Sequence, residues 1–282
     1  MSEMRLLRAE LRKLRRPLLW GVMASSALFC VLLAAGGSSN ARLDARGGGD
    51  VQVAAQLQPV AAGAEAAGLM ASLPGALGIA LLAGGHAGGE WSGRTLKDLL
   101  VQHGRRWQAL GAKLASLWIA GVALIAACWA ALAVAGPVLV RANHLPDPHQ
   151  SLGAALTWAG SQVGRSLLVV AVFAMVGLVA AVLTRNTIGT MAATAGAFVT
   201  MLAVAALPGG GAWTPATWVQ GWMGFAVGEG SITALPSNFW SRFIDASGAP
   251  PGHLLGLAGL TAMLVSCGAI ALVAFQRGDV TG

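Results

Sequence analysis

Residues able to do chemistry are few in this chain, and most stand apart from one another. Five histidines, His86, His103, His144, His149 and His253, are scattered over its length. His144, Asp147 and His149 share a short segment with Pro146 and Pro148. That segment offers too few ligands, at too irregular a spacing, for a standard zinc site, and a solvated loop accounts for it. No HExxH pattern occurs, and Gly160-Ser161 lacks the frame of a hydrolase nucleophile. The run Gly84-Gly85-His86-Ala87-Gly88-Gly89 is glycine-rich but lacks the Lys and Ser/Thr of a phosphate loop. The chain is therefore expected to carry no catalytic residue, no metal and no ATP site of its own. Gly84/Gly88, Gly85/Gly89 and Gly252/Gly256 have the spacing of close helix packing instead. Cys30, Cys128 and Cys267 each lie in an apolar run, which predicts neither a disulfide nor a metal cluster.

The most informative polar segment runs from Gly88 to Arg106. Ser92 or Thr95 could cap a short helix that ends near His103. Leu96, Leu99, Leu100 and His103 would share one face of it, and Glu90, Arg94, Lys97 and Asp98 supply its charges. Gly104 breaks the pattern, and a second helix from Arg105 to Lys113 leads into an apolar run. A short amphipathic helix lying across a membrane between glycines has the shape of a lever. As an ordinary connector, the same segment would merely have Glu90 cap a helix or pair with Arg94.

The elements that must position this lever follow from composition. Of 282 residues, 56% are hydrophobic and 10% charged, and mean hydropathy is +0.68. Soluble domains carry roughly 25% charged residues, so lipid must be the solvent for much of this chain. A helix needs about 20 apolar residues to cross the hydrocarbon core. Charge-free runs of that length predict six spans, at about 18–36, 69–88, 114–137, 166–184, 187–207 and 253–275. The charge-free stretch from Asn186 to Gly228 is too long for one crossing; Pro208-Gly209-Gly210-Gly211 ends the fifth span. Trp218, Trp222 and Phe225 then stand at helical spacing, which predicts an interfacial or re-entrant helix between spans five and six. Loops are expected at about 37–68, 138–165 and 208–252, and Arg165 is expected to snorkel to the surface.

Basic residues set the orientation. Arg5, Arg8, Arg12, Lys13, Arg15 and Arg16 precede the first span. Arg94, Lys97, Arg105, Arg106 and Lys113 lie between the second and third. With six spans, Arg185 and Arg277 fall on the same side, which should be the cytoplasm. Both termini are then cytoplasmic. Arg outnumbers Lys, and Ala and Gly abound, which points to a GC-rich bacterial genome and hence a bacterial plasma membrane. Met4, Leu7, Leu11, Leu14 and Leu18 form one helical stripe before and into the first span. The basic residues occupy the opposite arc, so residues 2–16 are expected to lie in the interface, with basic side chains toward lipid phosphates. The net charge of +7 thus serves the membrane rather than nucleic acid.

The run Gly89-Glu90-x-x-Gly93-x-Thr95-Leu96-x-x-Leu99-Leu100, with Lys113 beyond it, resembles the membrane subunits of type-2 ATP-binding-cassette exporters. Arg94 stands inside the Gly-Thr-Leu run of that pattern. The basic N-terminal helix is similar to the family's elbow helix, and Phe275-Gln276-Arg277-Gly278-Asp279-Val280 to its usual terminus. Leu235-Pro236-Ser237-Asn238-Phe239-Trp240 resembles its aromatic segment before the last span. The resemblance implies an all-α integral membrane fold of six helices with an elbow helix and a coupling helix over 90–103. It also implies a dimer, with a second copy or a paralogous permease, on two separate cytoplasmic ATPases that hold the ATP and Mg²⁺.

The expected function is a permease for a hydrophobic or amphipathic cargo such as a lipid, a peptide antibiotic or a drug. The alternative is an ATP-independent secondary transporter or channel; a scaffold or membrane enzyme is a third reading. The predicted spans contain no acidic residue, which weakens the alternative, since ion-coupled transporters and cation channels place charges there.

Overall fold

The computed structural model describes residues 3–14, 17–43, 49–93, 106–146, 151–207, 214–224 and 252–277. Every regular element among these residues is a helix: α1 (Glu3–Leu14), α2 (Pro17–Leu43), α3 (Gly49–Gln56), α4 (Ala62–Ala71), α5 (Leu73–Ser92), α6 (Arg106–Ala142), α7 (Leu152–Thr184), α8 (Thr187–Ala205), α9 (Pro215–Met223) and α10 (His253–Arg277). Five stretches are long and apolar enough to cross a bilayer: Leu19–Ala41, Trp107–Ala142, Leu152–Thr184, Thr187–Ala205 and His253–Gln276. Ala62–Ala71 and Pro74–Ser92 pass the same criterion only together, across a 63° bend, so among the described residues the candidate crossings number five, or six with this broken pair. The chain is a multi-pass membrane protein, all-helical among the described residues.

The bend corrects the expectation of one continuous second span at 69–88. Ser72 adopts an extended backbone (ψ 164°) between the two helices. Pro74 lacks an N–H and suits the first turn of a new helix, so α5 starts afresh at Leu73. Glu65 lies in α4 and is buried. If α4 and α5 are one broken crossing, a carboxyl belongs to it, which spans defined by charge-free runs exclude by construction.

Two expected loops are also largely helical. Residues 37–68 include the end of α2, α3 and most of α4, and 138–165 include the ends of α6 and α7. A helix can continue past the hydrocarbon when its end is capped. The Ser151 hydroxyl accepts from the Ala154 N–H to start α7, and the Asn186 side chain accepts from the Gly189 N–H to start α8. Only Arg185, in the left-handed conformation at φ 56°, and Asn186 separate α7 from α8.

α7 is the central element, packed on α4, α5, α6, α8 and α10. Of its apolar stretch 61% is buried, against 11% for α2 and α10. Close approach needs small residues. A side chain at Gly177 of α7 would strike the carbonyl of Ala80 on α5, and one at Gly121 of α6 would strike Val170. Gly84 and Gly88 both abut Thr190 of α8, so this glycine pair serves packing as its spacing suggests. Gly85 meets only the Met191 methyl, Gly89 and Gly252 face open space, and Gly256 abuts Trp218 and Trp222.

α1 is rotated from the orientation its leucine stripe suggests. Leu6, Glu10 and Leu14 are buried, while Met4 is exposed and Leu7 and Leu11 are half-buried. Leu11 packs at the edge of the core. Arg8 and Arg12 are exposed on the far arc. The helix therefore has an inward face with a carboxylate at its centre, flanked by the apolar stripe.

Candidate functional site

The inward face of α1 meets the last turns of α5 and the first turns of α6 around five titratable side chains. α1 supplies Glu10 and Lys13, one turn apart. α5 supplies His86 and Glu90, also one turn apart, and α6 supplies Lys113. Glu10 Oε1 accepts from Lys13 Nζ at 2.7 Å; its Oε2 meets Lys113 Nζ at 3.2 Å and His86 Nε2 at 3.2 Å. Glu90 Oε1 accepts from Lys13 Nζ at 2.9 Å, and Oε2 from Lys113 Nζ. Each lysine thus bridges both carboxylates. The Glu10 oxygen is an acceptor, so His86 Nε2 carries the proton between them.

The cluster is sequestered. Glu10 is 1% exposed and Lys113 4%, so neither charge could stand alone there. Burial alone would push the Glu10 carboxyl up. The His86 hydrogen bond, the Lys113 charge and then Lys13 outweigh it and hold it at about 2. Burial would likewise push Lys13 down, and the hydrogen bonds to Glu10 and Glu90 raise it instead.

Glu10, His86 and Glu90 lie close enough to hold a metal ion together. The surrounding charges argue against one. All four carboxylate oxygens already face an ammonium, and a cation would have to displace both lysines. What the arrangement can do is mechanical: it joins three helices by paired charge.

The same end of α5 is gripped on its other sides. Ser92 Oγ accepts from the Thr187 N–H at 3.1 Å at the start of α8, so Ser92 ends α5 and helps cap α8. Trp91 packs edge-on to Phe275 of α10 at 6.2 Å, and the Arg185 guanidinium lies 5.6 Å from its ring centre. Residues 94–105 follow directly.

Of the residues singled out on sequence, Glu90 is in the cluster. Arg94, Thr95, Leu96, Lys97, Asp98, Leu99, Leu100 and His103 lie outside the described residues, as do Arg15, Arg16 and the side chain of Arg5. Lys13, expected to face lipid phosphates, turns inward. Glu10 and His86 were not foreseen as partners. Their signal was spacing: Leu6, Glu10 and Leu14 repeat every fourth residue, and His86 and Glu90 stand four apart on one helical face.

No family model, curated protein or solved structure matches this chain.

A second polar junction lies where α9 meets α7 and α10. Arg165 Nη1 and Gln162 Nε2 of α7 donate to the Met223 carbonyl, at 3.0 and 3.2 Å. Trp222 Nε1 donates back to the Arg165 carbonyl at 2.9 Å, and the guanidinium sits 5.9 Å from the Trp222 ring centre. Arg165 thus holds the C-terminus of α9, where carbonyls attract a cation, instead of reaching for the surface. Trp218 fits against Gly256 and Gly259 of α10. His144 lies near the end of α6 beyond Ala142, while Asp147 and His149 lie outside the described residues. Cys30, Cys128 and Cys267 are free thiols.

Proposed function

We propose that this chain is the membrane-spanning subunit of an ATP-driven exporter whose ATPase is a separate chain. In this reading α1 is the elbow helix, residues 94–103 form the coupling helix that docks on the ATPase, and α4–α5 is the second of six spans. The α1 end then faces the cytoplasm of a bacterial cell, with both termini on that side. α9 is the interfacial or re-entrant helix before the last span. A second copy, or a paralogous subunit, completes the translocation path.

One observation carries the reading. Directly before residues 94–105, the end of α5 is fastened to four other helices: α1 and α6 through the charge cluster, α8 through Ser92, and α10 through Trp91 and Phe275. Lys113 fastens the far shoulder of the same segment to α1 as well. A push on residues 94–105 would therefore reach most of the bundle as one body, which is what a subunit driven from outside requires. A channel or self-contained carrier has no need to brace a short external segment at both shoulders. Apart from Glu65 in α4, the spans are largely apolar, which suits a hydrophobic or amphipathic cargo.

Purification from native membranes in mild detergent, with identification of bound chains, tests the proposal. A soluble partner with a phosphate loop is expected to co-purify and to be lost in the Leu99→Asp/Leu100→Asp variant. Transport that continues undiminished in ATP-depleted vesicles would refute it.

A further inference from the structure

A cavity of about 860 Å³ opens between the turn after α3 and the end of α6 remote from Lys113. That size lies within the range of ligand pockets, about 300–1,000 Å³. Its walls are of two kinds. Leu57, Pro59, Pro137 and Val140 are apolar, whereas Arg141 and His144 bring a guanidinium and an imidazole.

Local structure fixes both. A side chain at Gly136 would strike the Leu57 carbonyl, so glycine there lets the turn after α3 approach α6 closely. Leu57 and the adjoining Pro137 then line the cavity together. The Asn143 side chain donates to Ser38 Oγ at 3.0 Å and to the Leu139 carbonyl at 3.1 Å, which holds the end of α6 against α2. His144 closes the helix in the left-handed conformation, φ 54°. Its N–H bonds to the Arg141 carbonyl, and the Leu145 N–H to that of Val140. Glycine is the usual residue at such a position, so a histidine held there pays a steric cost that glycine would avoid. Among the described residues no carboxylate pairs with Arg141.

Depth narrows the ligand. Lys113 and Arg141 stand about 42 Å apart along α6 at the helical rise of ~1.5 Å per residue. A bilayer with its headgroups is about 40–45 Å thick. With the charge cluster at one surface, the cavity lies at headgroup level on the other. We propose that this cavity binds the anionic headgroup of a membrane phospholipid, with Arg141 bonding the phosphate, His144 donating a second hydrogen bond, and the apolar wall taking the glycerol and first acyl carbons. Arginine matches phosphate geometry with paired donors. The inference does not depend on an ATPase partner.

The test uses the full chain, stripped of lipid and supplied with equal phosphatidylglycerol and phosphatidylcholine. Native mass spectrometry should find at least a tenfold preference for phosphatidylglycerol. Arg141→Gln should abolish the preference, Arg141→Lys should retain part of it, and His144→Gln should weaken it about threefold. A photoactivatable phosphatidylglycerol on the unaltered protein should label 54–59 and 137–145, which needs no variant to fold. Equal binding of both lipids, as expected of an arginine that only offsets the helix dipole, would overturn the proposal. So would labelling confined to other helices. Loss of the preference on adding millimolar inorganic phosphate would mark a free-anion site and overturn the lipid assignment.

Discussion

Glu10 and Lys113 are 103 positions apart in sequence and meet at 3.2 Å in the protein interior. Their contact makes the N-terminal helix part of the bundle, because Lys113 also holds Glu90. Removing one member of a buried ion pair typically costs about 3–5 kcal/mol, since the partner charge remains. Lys113→Met is expected to lose that much, measured by thermal unfolding in detergent. Adding Glu90→Gln should recover part of the loss, because Glu10 would keep Lys13 and no carboxylate would be left over. A Lys113→Met protein that melts like the parent would show that the cluster does not hold the helices.

Acid should loosen α1 in a defined window. The Glu10 carboxyl is depressed from 4.5 to about 2, so its stabilisation is complete above pH 4.5 and is lost as pH falls toward 2. Lys13 is raised above 10.5, so its contribution is complete below that pH and is lost as pH rises beyond it. Melting temperature should therefore fall between pH 4.5 and 2 and again above 10.5. In Glu10→Gln the acid decline should flatten, and the alkaline one should shrink to the part that Glu90 sustains, because Glu10 gives Lys13 its largest upward push. An unaltered acid decline in that variant would exclude Glu10 as its cause.

Glycines at helix crossings and glycines facing open space should respond oppositely. Gly177→Val places a branched side chain against the Ala80 carbonyl, and overpacking of this kind costs about 1–3 kcal/mol or more. At Gly78 nothing lies within 4 Å. Gly78→Ala should be neutral or raise stability by about 0.4–1 kcal/mol through helix propensity. Thermal unfolding of the two variants side by side decides the matter.

Arg165→Gln should free α9. The variant loses the hydrogen bond to the Met223 carbonyl and the contact with the Trp222 ring, together worth about 1–2 kcal/mol. Amide hydrogen exchange over 215–223 should accelerate about tenfold, while the centre of α7 stays protected. Unchanged exchange would mean that Trp218 against α10 suffices to hold the helix.

The helices that cross lipid were legible because lipid excludes charge. The predicted spans 18–36, 114–137, 166–184 and 253–275 lie inside α2, α6, α7 and α10, and 187–207 overruns α8 by two residues. The Trp218 and Trp222 spacing likewise marked α9. The break at Ser72 was not legible in a search for charge alone, although Pro74 was its signal. Helices α3 and α4 were missed because helicity outside the hydrocarbon depends on caps and packing rather than hydropathy. Lys13 was misdirected by the company of arginines around it. Whether a cation faces phosphate or carboxylate depends on what another helix brings, and Glu90 comes from 77 positions away.

The uneven burial of the bundle bears on ancestry. A helix enclosed like α7 must keep its shape residue by residue, so Gly177, Val170 and Phe173 can change only in concert with their neighbours. Rim helices such as α2 and α10 need only remain oily, and many sequences satisfy that equally. Lineages that parted long ago would thus have overwritten their edges first. Kinship with this chain should survive longest along 152–184, and a comparison weighted toward that segment has the best prospect of uncovering it.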